Sequence, residues 1–408
     1  MKAYRLLIIL LSSILLGALT GHLWGTQALK LKPLGDIFLN MMFVLVVPLV
    51  FFSVSSAMTG VGQLQKIGSI LMKMLFIFFI TSALAAFYML FIVRCFPPTQ
   101  HTILPMTMVA ALPHVSFANQ LVSIITVSNF AQLFNRDHML ALIVFAALIG
   151  LATACSGDKG KPFANLLRSG MEVSMMAISF VMYYAPIGFF AYFAVLVAEM
   201  GPTLLKTYAH ITLIYYLSAI CYFVIAFTIF AFIAAKKIGI KLFWQHILFP
   251  AATSIATCSS AASIPANLHA AREMRVPTSI YELVIPLGGI IHKDGSVLGG
   301  IVKIAFLFSV FHISFAGLST LLMAMLIAML VGTVMGAIPS GGMVGEMLIL
   351  SVYGFPPQSL VLIAAISILI DPPATLLNVT SNTACSMLVA RLVEGKNWLS
   401  AADIRLII

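Results

Sequence analysis

Asp371 and Asp294 fall inside long apolar stretches of the chain, with Lys293 beside the second and Glu346 in a third. In the middle of a bilayer each Asp or Lys costs about 2.5–3.5 kcal/mol even on lenient insertion scales. Such side chains persist there by pairing with one another or by handling a charged solute. A carboxylate can hold an ammonium, an ammonium can neutralise a carboxylate, and His292, directly before Lys293, can carry a proton near neutral pH. Neutral donors accompany them: Ser259 and Ser260, Pro339-Ser340-Gly341, and Thr375, Asn378 and Asn382 after Asp371. These groups suit recognition of a small charged solute. An intramembrane hydrolase built on Ser340 and His292 is the rival chemistry, but it lacks a nucleophile elbow and a third orienting partner.

The elements that must hold these residues follow from composition. The chain has 408 residues, 62% hydrophobic and only 8% charged, so it cannot clothe a soluble surface. A net charge of +10, spread over this length, makes no dense basic face for nucleic acid. Charges are separated by gaps long enough to span a bilayer: 29 residues between Asp36 and Lys66, 26 between Glu172 and Glu199, 29 between Lys206 and Lys236. The fold class is all-α and polytopic, in a cell membrane, the bacterial cytoplasmic membrane being the expected one.

Six ordinary spans are predicted near 6–25, 38–60, 68–94, 138–155, 171–198 and 208–235. The first is read as an uncleaved helix rather than a signal peptide. With the N-terminus inside, Lys159, Lys161, Arg168, Lys236, Lys237 and Lys241 fall in cytoplasmic loops. The proline-broken stretch from Cys95 to Asn135 reads as short interfacial or re-entrant pieces. The five cysteines, with no CxxC pair, read as small buried residues.

The second half departs from simple spans. Thr257-Cys258-Ser259-Ser260 with Pro265, and Ala337-Ile338-Pro339-Ser340-Gly341-Gly342, each interrupt a long uncharged run. Small hydroxylated residues around a proline suit hairpin tips whose freed backbone groups face protein or ligand. Each tip is followed by a span that is polar at mid-depth: His292 to Ser296, and Asp371 to Asn382. Paired broken segments point to an internal repeat and a transporter's binding site.

Laid out this way, the chain resembles the dicarboxylate/amino acid:cation symporter family over nearly its whole length. Leu34-Gly35-Asp36-Ile37-Phe38 through Val47-Pro48-Leu49-Val50-Phe51 is similar to the family's second helix. Ser128-Asn129-Phe130 resembles the entry to its fourth, and Tyr184-Ala185-Pro186-Ile187-Gly188 a signature of its fifth. Ser259-Ser260, Pro286-Leu287-Gly288, Asp294-Gly295, Pro339-Ser340-Gly341, and Asp371 with Thr375, Asn378 and Val379 follow in family order.

The resemblance implies a homotrimer in membrane lipid, each protomer having eight transmembrane helices, two re-entrant hairpins and inverted repeats, working as an elevator. Residues 1–67 and 96–204 would form the scaffold, and 68–95 and 205–408 the transport domain. It implies that Asp371 holds a substrate ammonium and that Asn378 holds the α-carboxylate. Ser259, Ser260, Thr375 and the second tip (Pro339, Ser340, Gly341) complete that site. Thr81, Ser82 and Asp294 resemble part of a sodium site.

Departures from the family pattern shape the expected substrate. The positions where acidic-substrate members carry an arginine are Ala374 and Cys258 here, and Asn382 replaces a sodium-binding aspartate. The family's Asn-Met-Asp-Gly-Thr reads His292-Lys293-Asp294-Gly295-Ser296. The expectation is a symporter, not an enzyme, importing small neutral amino acids without a cofactor. Coupling is expected to be by proton through His292, Lys293, Asp294 or Glu346 rather than by sodium. The alternative keeps glutamate, aspartate or C4-dicarboxylates, with Lys293 neutralising the extra carboxylate.

Overall fold

The computed structural model describes residues 2–61, 68–98, 126–134, 138–200, 203–334, 341–396 and 398–399. Among them the chain is helical, and the first six expected spans become α1 (Lys2–Trp24), α2 (Lys32–Val61), α3 (Gly68–Cys95), α5 (Met139–Cys155), α6 (Lys161–Met200) and α7 (Thr203–His246). A one-turn helix, α4 (Phe130–Leu133), is capped by Asn129, whose side chain accepts from Ala131 N–H. Most of the proline-broken stretch, 99–125, lies outside the described residues. Helix α7 breaks at Ala235 and Lys236, where the sequence places the end of the sixth span.

The first hairpin is α8 (Leu248–Thr257) and α9 (Ser260–Glu273), which pack on each other. Cys258 turns the chain in the left-handed region, φ 48°, and Ser259 caps α9 by accepting Ala262 N–H. The next span is two helices, α10 (Thr278–Ile291) and α11 (Asp294–Val310), separated by extended backbone at His292 and Lys293. Helix α12 (Leu318–Val334) precedes α13 (Gly341–Tyr353), so Pro339 and Ser340 lie outside the described residues and Gly341 opens α13.

The last helix, α14 (Ser359–Glu394), stays helical through the consecutive prolines Pro372 and Pro373. Pro373 has no N–H for the Leu369 carbonyl one turn earlier. Tyr216 Oη on α7 donates to that carbonyl at 3.1 Å, so a side chain supplies the missing bond.

Packing sorts the helices into two groups. Helices α1, α2, α5 and α6 pack on one another, and so do α3 and α7 to α14; α1 with α8 and α14, α5 with α13, and α6 with α7 are among the contacts joining the groups. Within the second group, α14 carries Thr375, Asn378, Thr380, Ser381, Asn382 and Thr383 in its buried middle. The cysteines depart from the expected burial: Cys95, Cys155 and Cys221 are exposed, and only Cys385 is buried. Three of them sit on outward faces of apolar helices, where a small polarizable side chain is as compatible with lipid as with a core.

Candidate functional site

Helix α14 organises the site. Ser367, Asp371, Thr375, Asn378 and Asn382 recur at intervals of four, four, three and four, which aligns them along one helical face. That face meets the break between α10 and α11, and the polar residues there pair with it in order.

The deepest group surrounds His292, which is 1% exposed. Its Nδ1 lies 2.9 Å from Asn382 Oδ1, and its Nε2 lies 2.8 Å from Thr81 Oγ1 and 3.1 Å from Asp294 Oδ1. The ring stacks on Phe78 with centroids 4.2 Å apart. Asn382 Nδ2 donates to Asn378 O at 2.7 Å, so Oδ1 is the atom left facing the imidazole and Nδ1 donates to it. Ser82 Oγ donates to Asp294 Oδ1 at 3.3 Å, while Asp294 Oδ2 has no hydrogen-bond partner among the described residues. Gly288 makes room for this arrangement, because a Cβ there would stand 2.2 Å from Asn382 Oδ1.

The residues that resemble a sodium site are therefore brought together, but around a nitrogen. Thr81 and Asp294 converge on Nε2 at hydrogen-bond distances, with the imidazole where a metal ion would need oxygen. The set does not fit sodium as it stands.

One turn along α14, Asn378 is joined to the start of α11. Its Oδ1 accepts Ser296 N–H at 3.0 Å and its Nδ2 donates to Ser296 Oγ at 3.1 Å, satisfying an amide that a helix N-terminus leaves unpaired. Asp294 in the first turn of α11 suits the positive end of that helix. Gly295 allows the close approach, since a Cβ there would lie 2.2 Å from Ala374 O; its own carbonyl accepts Tyr215 Oη at 2.7 Å.

Asp371 is half-buried and accepts Thr375 Oγ1 at 3.1 Å. Lys293, 7% exposed, and Lys303 are both within electrostatic reach of it, as is Cys258 at the first hairpin's turn. The first hairpin is pinned to α14 through Asn267, whose Nδ2 donates to Val379 O at 2.8 Å and whose Oδ1 accepts Thr383 Oγ1 at 2.9 Å. Ser259 and Ser260 are half-buried at its tip, with the Ser259 hydroxyl engaged in capping its own helix.

Glu346 is brought to this face from α13, but its partner is one the sequence reading missed. Lys303, 2% exposed on α11, places Nζ 3.3 Å from Glu346 Oε1 and 2.6 Å from Ser367 Oγ. Ser367 Oγ also donates to Glu346 Oε1 in a short contact. The signal was present: Lys303 interrupts Gly299-Gly300-Ile301-Val302 and Ile304-Ala305-Phe306, a cation at the same depth as Glu346. Ser367 and Asn267 carry no comparable signal, because a lone Ser or Asn in an apolar helix reads as filler.

A family model described as the sodium:dicarboxylate symporter family matches residues 6–392. Among similar proteins, the proton/glutamate-aspartate symporter of Bacillus subtilis is 25% identical over 96% of both chains. The proton/sodium-glutamate symport protein of Bacillus caldotenax is 26% identical over 98% of this chain and 97% of its own. A C4-dicarboxylate transport protein of Bacillus subtilis is 22% identical over 96% and 94%. None of these names denotes a neutral amino acid. With its apolar helices and this match across nearly its whole length, the chain is a multi-pass membrane transport protein of the sodium:dicarboxylate symporter family.

Proposed function

We propose that the protein is a secondary active symporter that takes up acidic solutes, either glutamate or aspartate or a C4-dicarboxylate, in symport with protons. The neutral-substrate expectation rested on the absence of an arginine at Ala374 and Cys258. The observation that carries the acidic reading is the presence of two buried cations, Lys293 and Lys303, within electrostatic reach of Asp371. Cations at this depth can meet a second carboxylate, which is what an acidic solute requires, Lys303 by exchange from its pair with Glu346. The names of the relatives point the same way.

Proton coupling is supported by the geometry at His292. Its Nδ1 already donates to Asn382, so Nε2 and Asp294 Oδ1, 3.1 Å apart, face each other with one proton between them or with two lone pairs opposed. The pair is thus a built-in holder for one proton at the place where a relative's sodium ion is expected. We place the moving unit in α3 and α7 to α14 and the static scaffold in α1, α2, α5 and α6, a division supported by how these groups pack. Three copies assemble through the scaffold, and the unit travels as an elevator so that the charged face never crosses lipid alone.

The test is uptake into proteoliposomes, with aspartate, glutamate and succinate compared against alanine and serine. Concentrative uptake of an acidic solute driven by an inward proton gradient is the expected result. Tighter binding of alanine or serine than of every acidic solute overturns the reading.

A further inference from the structure

The ion pair between α11 and α13 is incompletely satisfied. Lys303 uses two of its three ammonium hydrogens on Ser367 Oγ and Glu346 Oε1, and Glu346 Oε2 is buried with no partner among the described residues. A bridge serving only to join helices gains most when every lone pair is met, since a half-satisfied buried pair is costly. This one is also placed at the solute's side of the helix. Ser367 lies one turn before Asp371 on the same face of α14, and both are half-buried, whereas Lys303 and Glu346 are covered. Four helical residues rise about 6 Å. The three or four bonds between the ammonium and the distal carboxyl carbon of an acidic amino acid span about 4–5 Å when extended, the same order as the rise between these two positions. Gly342, in the first turn of α13, lies over the pair: a Cβ there would be 3.6 Å from both Glu346 Oε1 and Ser367 Oγ.

We propose that Lys303 is the specificity-determining cation that receives the solute's distal carboxylate, and that Glu346 is a built-in carboxylate that occupies Lys303 between solutes. The solute then spans from Asp371 to Lys303. Ser367, which donates to Glu346 and accepts from Lys303, holds the displaced Glu346 close by. Exchanging one carboxylate for another keeps the ammonium paired throughout, and the displaced Glu346 keeps the Ser367 hydroxyl as its hydrogen-bond donor. This rests on the acidic-solute reading above, and it assigns to a lysine on α11 the task that the sequence at Ala374 and Cys258 leaves unfilled.

The experiment measures binding of aspartate against asparagine, and glutamate against glutamine, to the purified full-length protein in nanodiscs. Lys303→Met risks misfolding because it strands Glu346, so it is paired with the double variant Lys303→Met/Glu346→Met, which removes both charges and keeps apolar bulk. The double variant is expected to lose its acid-over-amide preference by about a hundredfold, the scale of removing a buried charge partner from a ligand. Glu346→Gln is expected to do the opposite and tighten acid binding by about tenfold, because the competitor is gone. An unchanged acid-to-amide ratio in the double variant, or equal weakening of acid and amide in Glu346→Gln, overturns the assignment. A wild-type protein that prefers the amides overturns the acidic-solute reading itself, a separate outcome visible before any variant is made.

Discussion

Tyr216 Oη donates to Leu369 O across 3.1 Å, and Leu369 O is the carbonyl that Pro373 leaves without its helical donor. The relationship explains how α14 carries Pro373, two residues after Asp371, and stays helical along its polar face. Tyr216→Phe leaves that carbonyl unpaired and should cost about 1–3 kcal/mol. A thermal melt of the purified protein reads the loss. Pro373→Ala restores the backbone donor, so in that background Tyr216→Phe should cost much less; equal costs in both backgrounds would mean the two residues act independently.

The approach of α11 to α14 depends on Gly295, where a Cβ would stand 2.2 Å from Ala374 O. The obstacle is backbone, which cannot rotate away. Gly295→Ala should therefore reach or exceed the upper end, about 3 kcal/mol, of what overpacking costs. It should also separate Asn378 from Ser296, so substrate binding is expected to fall further than stability does. Wild-type affinity in a folded Gly295→Ala protein would show that this contact does not position the site.

Much of this was legible in the chain. The turn at Cys258–Ser259, the polar stretch from His292 to Ser296, and the face shared by Asp371, Thr375, Asn378 and Asn382 all follow from local residue type and helical spacing. What was not legible depended on contacts distant in sequence. His292 meets Thr81 from 211 positions away, and Tyr216 meets Leu369 from 153, so neither pairing has a local signature. Lys303 was hidden differently. Its charge was in view, but it has no partner near it in sequence, and the depth it shares with Glu346 emerged when α11 met α13. The names of the relatives favour the acidic alternative over the neutral solute, and the neutral expectation weighed a missing arginine at one position without the lysine that approaches from another helix.

Asp371 separates the two classes of acidic solute. Its carboxylate can pair with a substrate ammonium, which glutamate and aspartate have and succinate lacks. Asp371→Asn keeps the shape and the Thr375 contact while removing the charge. Binding of aspartate and glutamate should fall by about a hundredfold, whereas succinate should bind as well or better, since a repelling carboxylate is gone. Competition binding with the three solutes gives the answer. If succinate falls in parallel with aspartate, Asp371 does not face an ammonium.

The last expectation concerns the driving ion. Sodium needs a cage of oxygen ligands, and here Thr81 and Asp294 point at His292 Nε2, at 2.8 and 3.1 Å. Asn382 contributes a neutral oxygen that is already bound to Nδ1 at 2.9 Å. A metal ion entering this cluster has to displace a ring stacked on Phe78 and break three hydrogen bonds, leaving a buried imidazole with none. A proton can enter without moving any heavy atom. With a monoanionic amino acid one proton makes the step electroneutral, so accumulation draws on the pH gradient, about 1.4 kcal/mol or tenfold per pH unit. Uptake should therefore persist when choline replaces sodium, and should rise when the outside of the vesicle is made more acidic. His292→Asn removes the ring and the second proton-holding nitrogen, so the response to the pH gradient should disappear while exchange of solute across the membrane continues. Strict dependence on sodium in the wild type, with no response to the pH gradient, would instead mean that the imidazole swings out of the cluster and yields its place to the metal.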